Sequence, residues 1–257
     1  MKSYFVKTVN ILGVPIATVN MHQAAAQIEE WIRNRDRTYV TVTGVHGIME
    51  SQYDERVKRI HQTAGMCVPD GMPTVWIGKL YGHREMERVY GPDLMIEIMR
   101  RSVTKGYTHF FYGGKKGVPD LLMGRLVALY PELNIVGILS PPFRAMTEEE
   151  ENNLKDLIEK LTPDIIWVGL STPKQEKWMA THIGKLNTKV MIGAGAAFDF
   201  HAGLLRQAPR WMQRIGLEWF FRLCIEPRRL WKRYLVNNPL FIWDFALQFL
   251  KIKKYEI

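Results

Sequence analysis

Hydrophobic and polar residues alternate along the first 200 positions in a pattern that predicts strands separated by helices. Short β-branched or continuously apolar runs, typical of strands buried on both faces, lie at 39–44, 108–114, 133–139, 164–170 and 188–198. Helical spacing marks 21–34, which follows the N-cap candidate Asn20, and 147–161, which opens with Thr147 and a run of glutamates. Strands that alternate with helices predict an α/β fold with a parallel sheet and helices on both faces.

The two ends of the chain depart from this alternation. Residues 8–28 carry no Asp, Glu, Lys or Arg, but polar residues and a proline interrupt them, so a strand, a turn and a helix are expected rather than a membrane span. Past residue 203 no strand-like run follows, and two or three helices are expected. We therefore divide the chain into a core, residues 1–203, and a helical appendage, residues 204–257. Breaks between the appendage helices are expected near Pro209, Pro227 and Pro239.

Positive charge is concentrated in the appendage. The chain carries a net charge of +9, and the appendage holds 11 Lys and Arg against 4 Asp and Glu. It also holds four of the eight tryptophans, Trp211, Trp219, Trp231 and Trp243. Basic side chains with tryptophans indicate an anionic partner above an apolar layer, such as a bilayer surface. Nucleic acid is the alternative partner.

The two cysteines, Cys67 and Cys224, lie far apart and show no metal or redox spacing. A reducing cytoplasm therefore fits the chain best. No stretch reaches the roughly 20 uninterrupted apolar residues that a membrane-spanning helix needs. An association with the membrane is accordingly expected to be peripheral.

Asp70 is the first candidate for chemistry. It stands between Pro69 and Gly71 at the end of an apolar run, where a strand should turn into a helix. Asp70 either caps the following helix or faces a pocket and accepts a proton. Arg88 precedes the turn Gly91-Pro92-Asp93, and its guanidinium suits a diphosphate, although a plain surface arginine is the alternative.

Ligands of open parallel sheets bind beyond the carboxyl ends of the strands, and three loops lie there. Residues 110–117 join a strand to a helix through Gly113 and Gly114, which fits a phosphate loop or simply a tight turn. Residues 169–178 begin a helix with Lys174, Gln175 and Glu176, and there Gln175 either contacts a base or sugar or belongs to a polar helix start.

The third loop, residues 193–203, resembles part of a dinucleotide fingerprint. It has Gly193 and Gly195, but Phe198 replaces the third glycine, and no ribose-binding acid follows about 20 residues on. A nicotinamide site is therefore improbable, while Asp199 either holds a ribose or caps a turn. The sequence contains no Asp-x-Asp pattern and no Cys/His cluster with ligand spacing, so we expect neither a metal nor a cofactor.

Taken together, several stretches resemble the WecG/TagA/CpsF family, glycosyltransferase family 26. The resemblance rests on "TVTGVHGIMES" (41–51), "VPDGMPTVW" (68–76), "ERVYGPDL" (87–94), "FYGGKKG" (111–117), "GLSTPKQEKW" (169–178), "GAGAAFDFHAG" (193–203) and "APRWMQRIGLEWFFRLCIEPRRLWKRY" (208–234). These motifs follow one another in order over nearly the whole chain. Their combination is far more specific than any single glycine loop.

The resemblance implies a Rossmann-like core and an appendage that touches the inner face of the cell membrane. Members of the family transfer a sugar, commonly N-acetylmannosamine or its uronic acid, from a UDP-sugar to an amino sugar on undecaprenyl diphosphate. Their products serve teichoic acid linkage units, enterobacterial common antigen or exopolysaccharide. The transfer is taken to be inverting and independent of metal.

Roles carry over to this chain residue by residue. Asp70 matches the family's proposed catalytic base, and Arg88 matches a residue near the diphosphate. In the appendage, Arg222, Arg229 and, at a third basic position, Lys232 match residues thought to complete the active site. The interfacial tryptophans Trp211 and Trp219 accompany them. The candidates for binding the donor are Thr43, Gly44, His46, Gly113, Gly114, Lys174, Gln175, Glu176, Gly195 and Asp199.

One segment departs from the family pattern. Where the family often has Thr-x-Asn, this chain has Val42-Thr43-Gly44, which removes a hydroxyl and an amide that would contact the donor sugar. Thr43 and His46 are the available substitutes. The donor sugar that the resemblance implies is therefore N-acetylmannosamine, its uronic acid or a related hexose or uronic acid.

Two other classes of protein remain as alternatives. A non-catalytic module that binds membranes or nucleic acid would explain the basic appendage but not Asp70. A nicotinamide-dependent oxidoreductase would need a complete fingerprint.

Self-association into a homo-oligomer is possible because the appendage is apolar. If the appendage both completes the site and binds the bilayer, its deletion is expected to abolish transfer and bilayer binding together.

Overall fold

The computed structural model describes residues 6–257, and its strands form one mostly parallel sheet. The strands are β1 (Thr8–Ile11), β2 (Val14–Ala17), β3 (Thr38–Thr43), β4 (Met66–Pro69), β5 (Thr108–Gly113), β6 (Asn134–Leu139), β7 (Ile165–Gly169) and β8 (Val190–Gly193). Their order in this eight-stranded sheet is β1-β2-β4-β3-β8-β7-β5-β6. Strands β1 and β2 pair antiparallel, whereas the pairs β2–β4, β3–β8, β8–β7, β7–β5 and β5–β6 are parallel.

Helices follow most of the strands. They are α1 (Met21–Asn34), α2 (Val45–Tyr53), α3 (Glu55–Thr63), α4 (Met72–Leu80), α5 (Gly91–Lys105), α6 (Val118–Leu129), α7 (Glu148–Leu161), α8 (Lys174–His182) and α9 (Ala197–His201). The C-terminal helices are α10 (Arg210–Arg214), α11 (Glu218–Ile225), α12 (Pro227–Trp231), a π turn (Lys232–Val236) and α13 (Asn237–Phe249). The predicted α/β class with a largely parallel sheet is confirmed.

Local sequence explains why several elements begin where they do. Helix α7 has a complete capping box, in which Thr147 accepts from the Glu150 amide and Glu150 accepts from the Thr147 amide. Helix α1 covers the predicted residues 21–34. Strands β5, β6, β7 and β8 lie within their predicted runs, and β3 begins one residue before its run, at Thr38.

Three local predictions are wrong. Residues 8–17 form two strands rather than one, because Leu12 and Gly13 both adopt positive φ and close a two-residue hairpin. Pro239 does not break a helix, since it lies within the first turn of α13, which follows the π turn directly. Gly91-Pro92-Asp93 is not a separate turn, because α5 already begins at Gly91, and this helix continues to Lys105.

The described chain divides into two compact units. The first contains the described residues through Met21, Val42–Tyr90 and Gln207–Ile257, and the second contains His22–Thr41 and Gly91–Arg206. The chain passes from the second unit to the first after Arg206. From Gln207 onward the appendage belongs to the first unit.

In the first unit, the end of the appendage packs into the hydrophobic core. Phe241 of α13 is buried with residues of the N-terminal hairpin, α2, β4 and α4, and Phe245 packs against the same cluster. Gln248 clamps the hairpin, because its Oε1 accepts from the Leu12 amide and its Nε2 donates to the Asn10 carbonyl. Within residues 6–257, no helix is both long enough and apolar enough to cross a bilayer.

Candidate active site

Asp70 follows β4 directly and lies beside the end of β3 in the first unit. Its amide donates to the Thr43 carbonyl over 3.2 Å, which fixes the strand ends against each other. The N-cap of α4 is Gly71, so Asp70 precedes the cap position rather than filling it. The side chain is partly buried, and a Cβ atom placed on Gly44 would lie 3.8 Å from Asp70 Oδ2. The Asp70 carboxylate therefore lies beside Gly44 at the end of β3.

Arg88 is held next to Asp70 by main chain and side chain together. The neighbouring Val89 amide donates to the Pro69 carbonyl over 2.9 Å, which aligns this segment with the end of β4. The Arg88 Nε then donates to the Asp70 carbonyl, and its Cζ lies 4.0 Å from the centre of the Tyr90 ring. Although burial lowers the pKa of Arg88, the Asp70 and Glu218 carboxylates raise it above its usual range.

Glu218, the first residue of α11, completes this arrangement from the appendage. Its Oε2 accepts from Arg88 Nη2, and its Oε1 accepts from the Tyr90 hydroxyl over 2.9 Å. Burial and the Glu218 charge both raise the pKa of Tyr90, so this hydroxyl keeps its proton and serves as a donor. One carboxylate thus binds both Arg88 and Tyr90.

A glycine sets the position of α11. Gly216 has φ of 75°, and a Cβ there would come within 2.7 Å of the Trp76 ring of α4. Only glycine accepts both this backbone conformation and this approach at low cost. The close packing brings the start of α11, and with it Glu218, to a fixed place in the first unit.

Two further arginines of the appendage interact electrostatically with Asp70 and its neighbours. Burial opposes the charge of Arg222, but Tyr234, Glu218, Tyr90 and Asp70 raise its pKa above the usual range. Arg233 is more deeply enclosed, and burial lowers its pKa. Asp70 thus interacts electrostatically with Arg88, Arg222 and Arg233.

The other predicted site residues of the first unit range from buried to exposed. Thr43 is buried at the end of β3, and the Nδ1 of His46 on α2 lies 3.7 Å from Glu50 Oε1. Arg229 is exposed and pairs with Glu226, while Lys232 is exposed over the Trp231 ring. Trp211 is exposed, and the Trp219 ring lies 5.9 Å from that of Tyr234.

In the second unit, glycines allow the carboxyl ends of β5 and β7 to approach closely. Gly113 has φ of 123°, and a Cβ there would come within 2.6 Å of the Gly169 main chain. The Gly114 amide donates to the Gly169 carbonyl over 2.9 Å. The exposed residues Lys115 and Lys116 follow before α6, so this turn has the backbone and charge of a phosphate loop.

The Lys174–Glu176 segment and the loop after β8 are joined by Gln175. This buried side chain accepts from the Gly195 amide over 3.0 Å and donates to Glu176 Oε1 over 3.2 Å. Glu176 is also buried and accepts from Thr172, whereas Lys174 is exposed and Asp199 lies partly buried on α9. Gln175 therefore braces two loops with the same groups that were expected to contact a donor.

Four residues of the first-unit site were absent from the sequence prediction: Tyr90, Glu218, Arg233 and Tyr234. In a sequence, an acid at the start of a helix indicates only a favourable interaction with the helix dipole. No local sequence pattern pairs Glu218 with Arg88. The adjacent cations Lys232 and Arg233 are equivalent in sequence. Only the fold distinguishes them.

A carboxylate beside guanidinium groups at the strand ends of a parallel sheet defines a protein suited to transfer chemistry with an anionic leaving group. The chain belongs to a family of such enzymes, the glycosyl transferases of the WecG/TagA/CpsF family, whose profile matches residues 9–255. It is a glycosyltransferase by this membership.

Curated relatives match over most of the chain. A protein of Bacillus subtilis (strain 168) named N-acetylglucosaminyldiphosphoundecaprenol N-acetyl-beta-D-mannosaminyltransferase is 30% identical over 95% of this chain and 81% of its own length. A protein of Bacillus spizizenii with the same name is 29% identical over 72% of this chain and 70% of its own length. One of Staphylococcus aureus (strain MRSA252), again of the same name, is 25% identical over 96% and 95%.

Proposed function

We propose that this protein transfers N-acetylmannosamine, its uronic acid or a related hexose from a UDP-sugar to a sugar carried on a polyprenyl diphosphate. The observation that carries the proposal is the position of Asp70 at the end of β4, with Arg88 bound to its main chain. The names of the relatives support the lipid-linked acceptor.

In the proposed reaction, the acceptor hydroxyl attacks the anomeric carbon of the donor sugar. The new carbon–oxygen bond forms as the bond to the UDP oxygen breaks, and the configuration inverts. The Asp70 carboxylate accepts the hydroxyl proton, a step worth roughly 10²–10⁴ in rate. The departing UDP keeps the electron pair of the broken bond.

The leaving group needs positive charge as it departs, and Arg88 with Arg222 supplies it in the first unit. The raised pKa of both guanidinium groups keeps them charged. The glycine turn of Gly113 and Gly114 is the candidate nucleotide-binding element of the second unit. We propose that these groups act without a metal ion.

Exposed apolar side chains of the appendage support peripheral binding to a membrane. They include Trp211, Ile215, Phe220, Ile225, Trp231, Leu235, Leu240, Ile242 and Trp243. Ile242 is 68% exposed and Trp243 66% exposed, and the basic side chains of the appendage attract anionic lipid. We therefore expect sedimentation with vesicles that contain phosphatidylglycerol and weak sedimentation with pure phosphatidylcholine.

The deciding experiment is UDP release from a panel of UDP-sugars, with a short-chain diphosphate-linked N-acetylglucosamine as acceptor and EDTA present. Asp70→Asn should lower kcat by about 10² or more while the protein stays folded. Asp120→Asn, on the exposed face of α6, is the matched control and should turn over normally. Turnover that survives in Asp70→Asn would exclude Asp70 as the base, and an absence of turnover with every donor would reject the proposed reaction.

A further inference from the structure

Two neighbouring cations in the appendage have opposite environments. The Lys232 Nζ lies 5.6 Å from the centre of the Trp231 ring, and this lysine is exposed. The Arg233 Nε, in contrast, is buried and has no hydrogen-bond partner within the described part of the chain. Its guanidinium carbon lies 5.6 Å from the centre of the Tyr234 ring. The two side chains therefore differ in what they can contribute to the site.

The backbone at this point is unusual. Residues Lys232–Val236 form a π turn between α12 and α13, and such turns are frequent at functional sites. In a regular helix, both Lys232 and Arg233 would lie on the face of Arg229, three and four residues along. Here the two residues differ, because Lys232 is exposed whereas the Arg233 Nε is buried.

The electrostatic environment of Arg233 favours the binding of an anion. Burial lowers its pKa, Tyr234 and Asp70 favour its charged form, and Arg222 and Arg229 oppose it. Glu218 is already bound to Arg88 and Tyr90. A buried Nε–H without an acceptor, on a guanidinium with cationic neighbours, is costly unless an anion completes it.

We propose that Arg233, and not Lys232, is the third appendage cation of the active site, and that with Arg222 it binds a substrate diphosphate. The planar guanidinium of Arg233 offers a fork of donors that matches phosphate oxygens, which an exposed lysine over a tryptophan does not. This assignment rests on the proposed transfer reaction for its biological ligand but not for its test.

Binding without turnover tests the assignment. Calorimetry would measure the Kd of UDP, of farnesyl diphosphate and of uridine for wild type, Arg233→Gln and Lys232→Gln. Loss of a charge-assisted hydrogen bond should weaken at least one diphosphate by about tenfold in Arg233→Gln, with uridine unchanged. Lys232→Gln, which removes the same charge one residue away, should bind all three like wild type.

The two diphosphates identify the source of the ligand. A loss confined to UDP assigns Arg233 to the donor, a loss confined to farnesyl diphosphate assigns it to the lipid acceptor, and a loss of both assigns it to each. Arg233→Lys is the second variant, since it keeps the charge and stem and should recover part of the affinity while its melting temperature reports folding.

Equal diphosphate binding by wild type and Arg233→Gln would overturn the assignment, as would an equal loss in Lys232→Gln. A loss of uridine binding that matches the loss of UDP binding would also overturn it, because the effect would then be structural. Diphosphate binding that depends on Arg233 in a protein without transfer activity would reject the proposed function and keep this site.

Discussion

Replacing Glu218 by glutamine removes the charge that holds Arg88 and Tyr90 while it keeps the shape of the side chain. Glu218 binds Arg88 through one oxygen and the Tyr90 hydroxyl through the other. The Arg88 and Glu218 side chains are 15% and 13% exposed, so water screens their pairing only weakly. The substitution therefore tests whether the appendage contributes an ion pair that fixes Arg88.

The expected loss of stability in Glu218→Gln lies between two limits. Exposed ion pairs contribute about 0–1 kcal/mol, and breaking a fully buried pair costs about 3–5 kcal/mol. Arg88 keeps the Asp70 carbonyl and the Tyr90 ring after the change, and hydrogen bonds to charged groups are worth about 1.5–3 kcal/mol. We therefore expect a loss of about 2 kcal/mol in the free energy of unfolding, or about 4–8 °C in Tm.

The assay is urea unfolding of a double-mutant cycle made of wild type, Arg88→Gln, Glu218→Gln and the double variant. A coupling energy of about 2 kcal/mol is expected, because the residues are in direct contact. The control cycle joins Arg229→Gln and Glu226→Gln, an i,i+3 pair whose arginine is 55% exposed. That cycle should give less than about 0.5 kcal/mol.

A coupling of Arg88 and Glu218 as small as that of the control pair would refute the reasoning. It would mean that α11 reaches its place through packing alone and that Glu218 does not orient Arg88. A large coupling combined with normal kcat/KM in Glu218→Gln would separate the two roles, because the ion pair would then stabilise the fold without serving the reaction.

Three further predictions address other parts of the molecule. Burial lowers the pKa of His61 to about 4, so the unfolded chain takes up a proton first and the free energy of unfolding falls by about 3 kcal/mol as the pH drops from 6.5 to 4. His61→Gln should flatten this part of the profile in urea titrations, and an unchanged slope would contradict the assignment. Gly113→Ala should destabilise the protein by at least about 2 kcal/mol in urea unfolding, because it combines a positive φ with a clash on the Gly169 main chain. The control Gly124→Ala lies in an open position on α6 and should be neutral or stabilising. Equal effects of the two substitutions would contradict this prediction. Replacing both Ile242 and Trp243 by serine should release the protein from phosphatidylglycerol vesicles without lowering its Tm by more than a few degrees, and full retention on the vesicles would place the membrane surface elsewhere.

Much of the fold follows from patterns a few residues long. Helix α1 agrees with its 3.6-residue periodicity, and α7 begins at the capping box that Thr147 opens. The residue pattern does not predict the N-terminal hairpin, because Leu12 adopts positive φ, which a leucine rarely does. The break expected near Pro239 does not form, since Pro239 lies within α13.

The site was less accessible to sequence reasoning for a physical reason. Asp70 and Arg88 lie in motifs at strand ends, where the predicted parallel sheet already indicates a ligand site. Glu218 meets Arg88 across 130 positions of the chain, and no local pattern encodes that contact. The different burial of Arg233 and Lys232 in the π turn likewise has no signature in the residues that form the turn.

The way the appendage is anchored changes how its role must be tested. Phe241 lies in the core of the first unit, and Gln248 binds the main chain of the N-terminal hairpin. Deleting residues 204–257 would therefore remove core packing and hairpin hydrogen bonds as well as Glu218 and the arginines. A loss of transfer and of bilayer binding in that deletion would follow from unfolding alone. Point variants at Arg233 and at the exposed pair Ile242 and Trp243 leave these anchors in place, so that only they can separate anion binding from membrane binding.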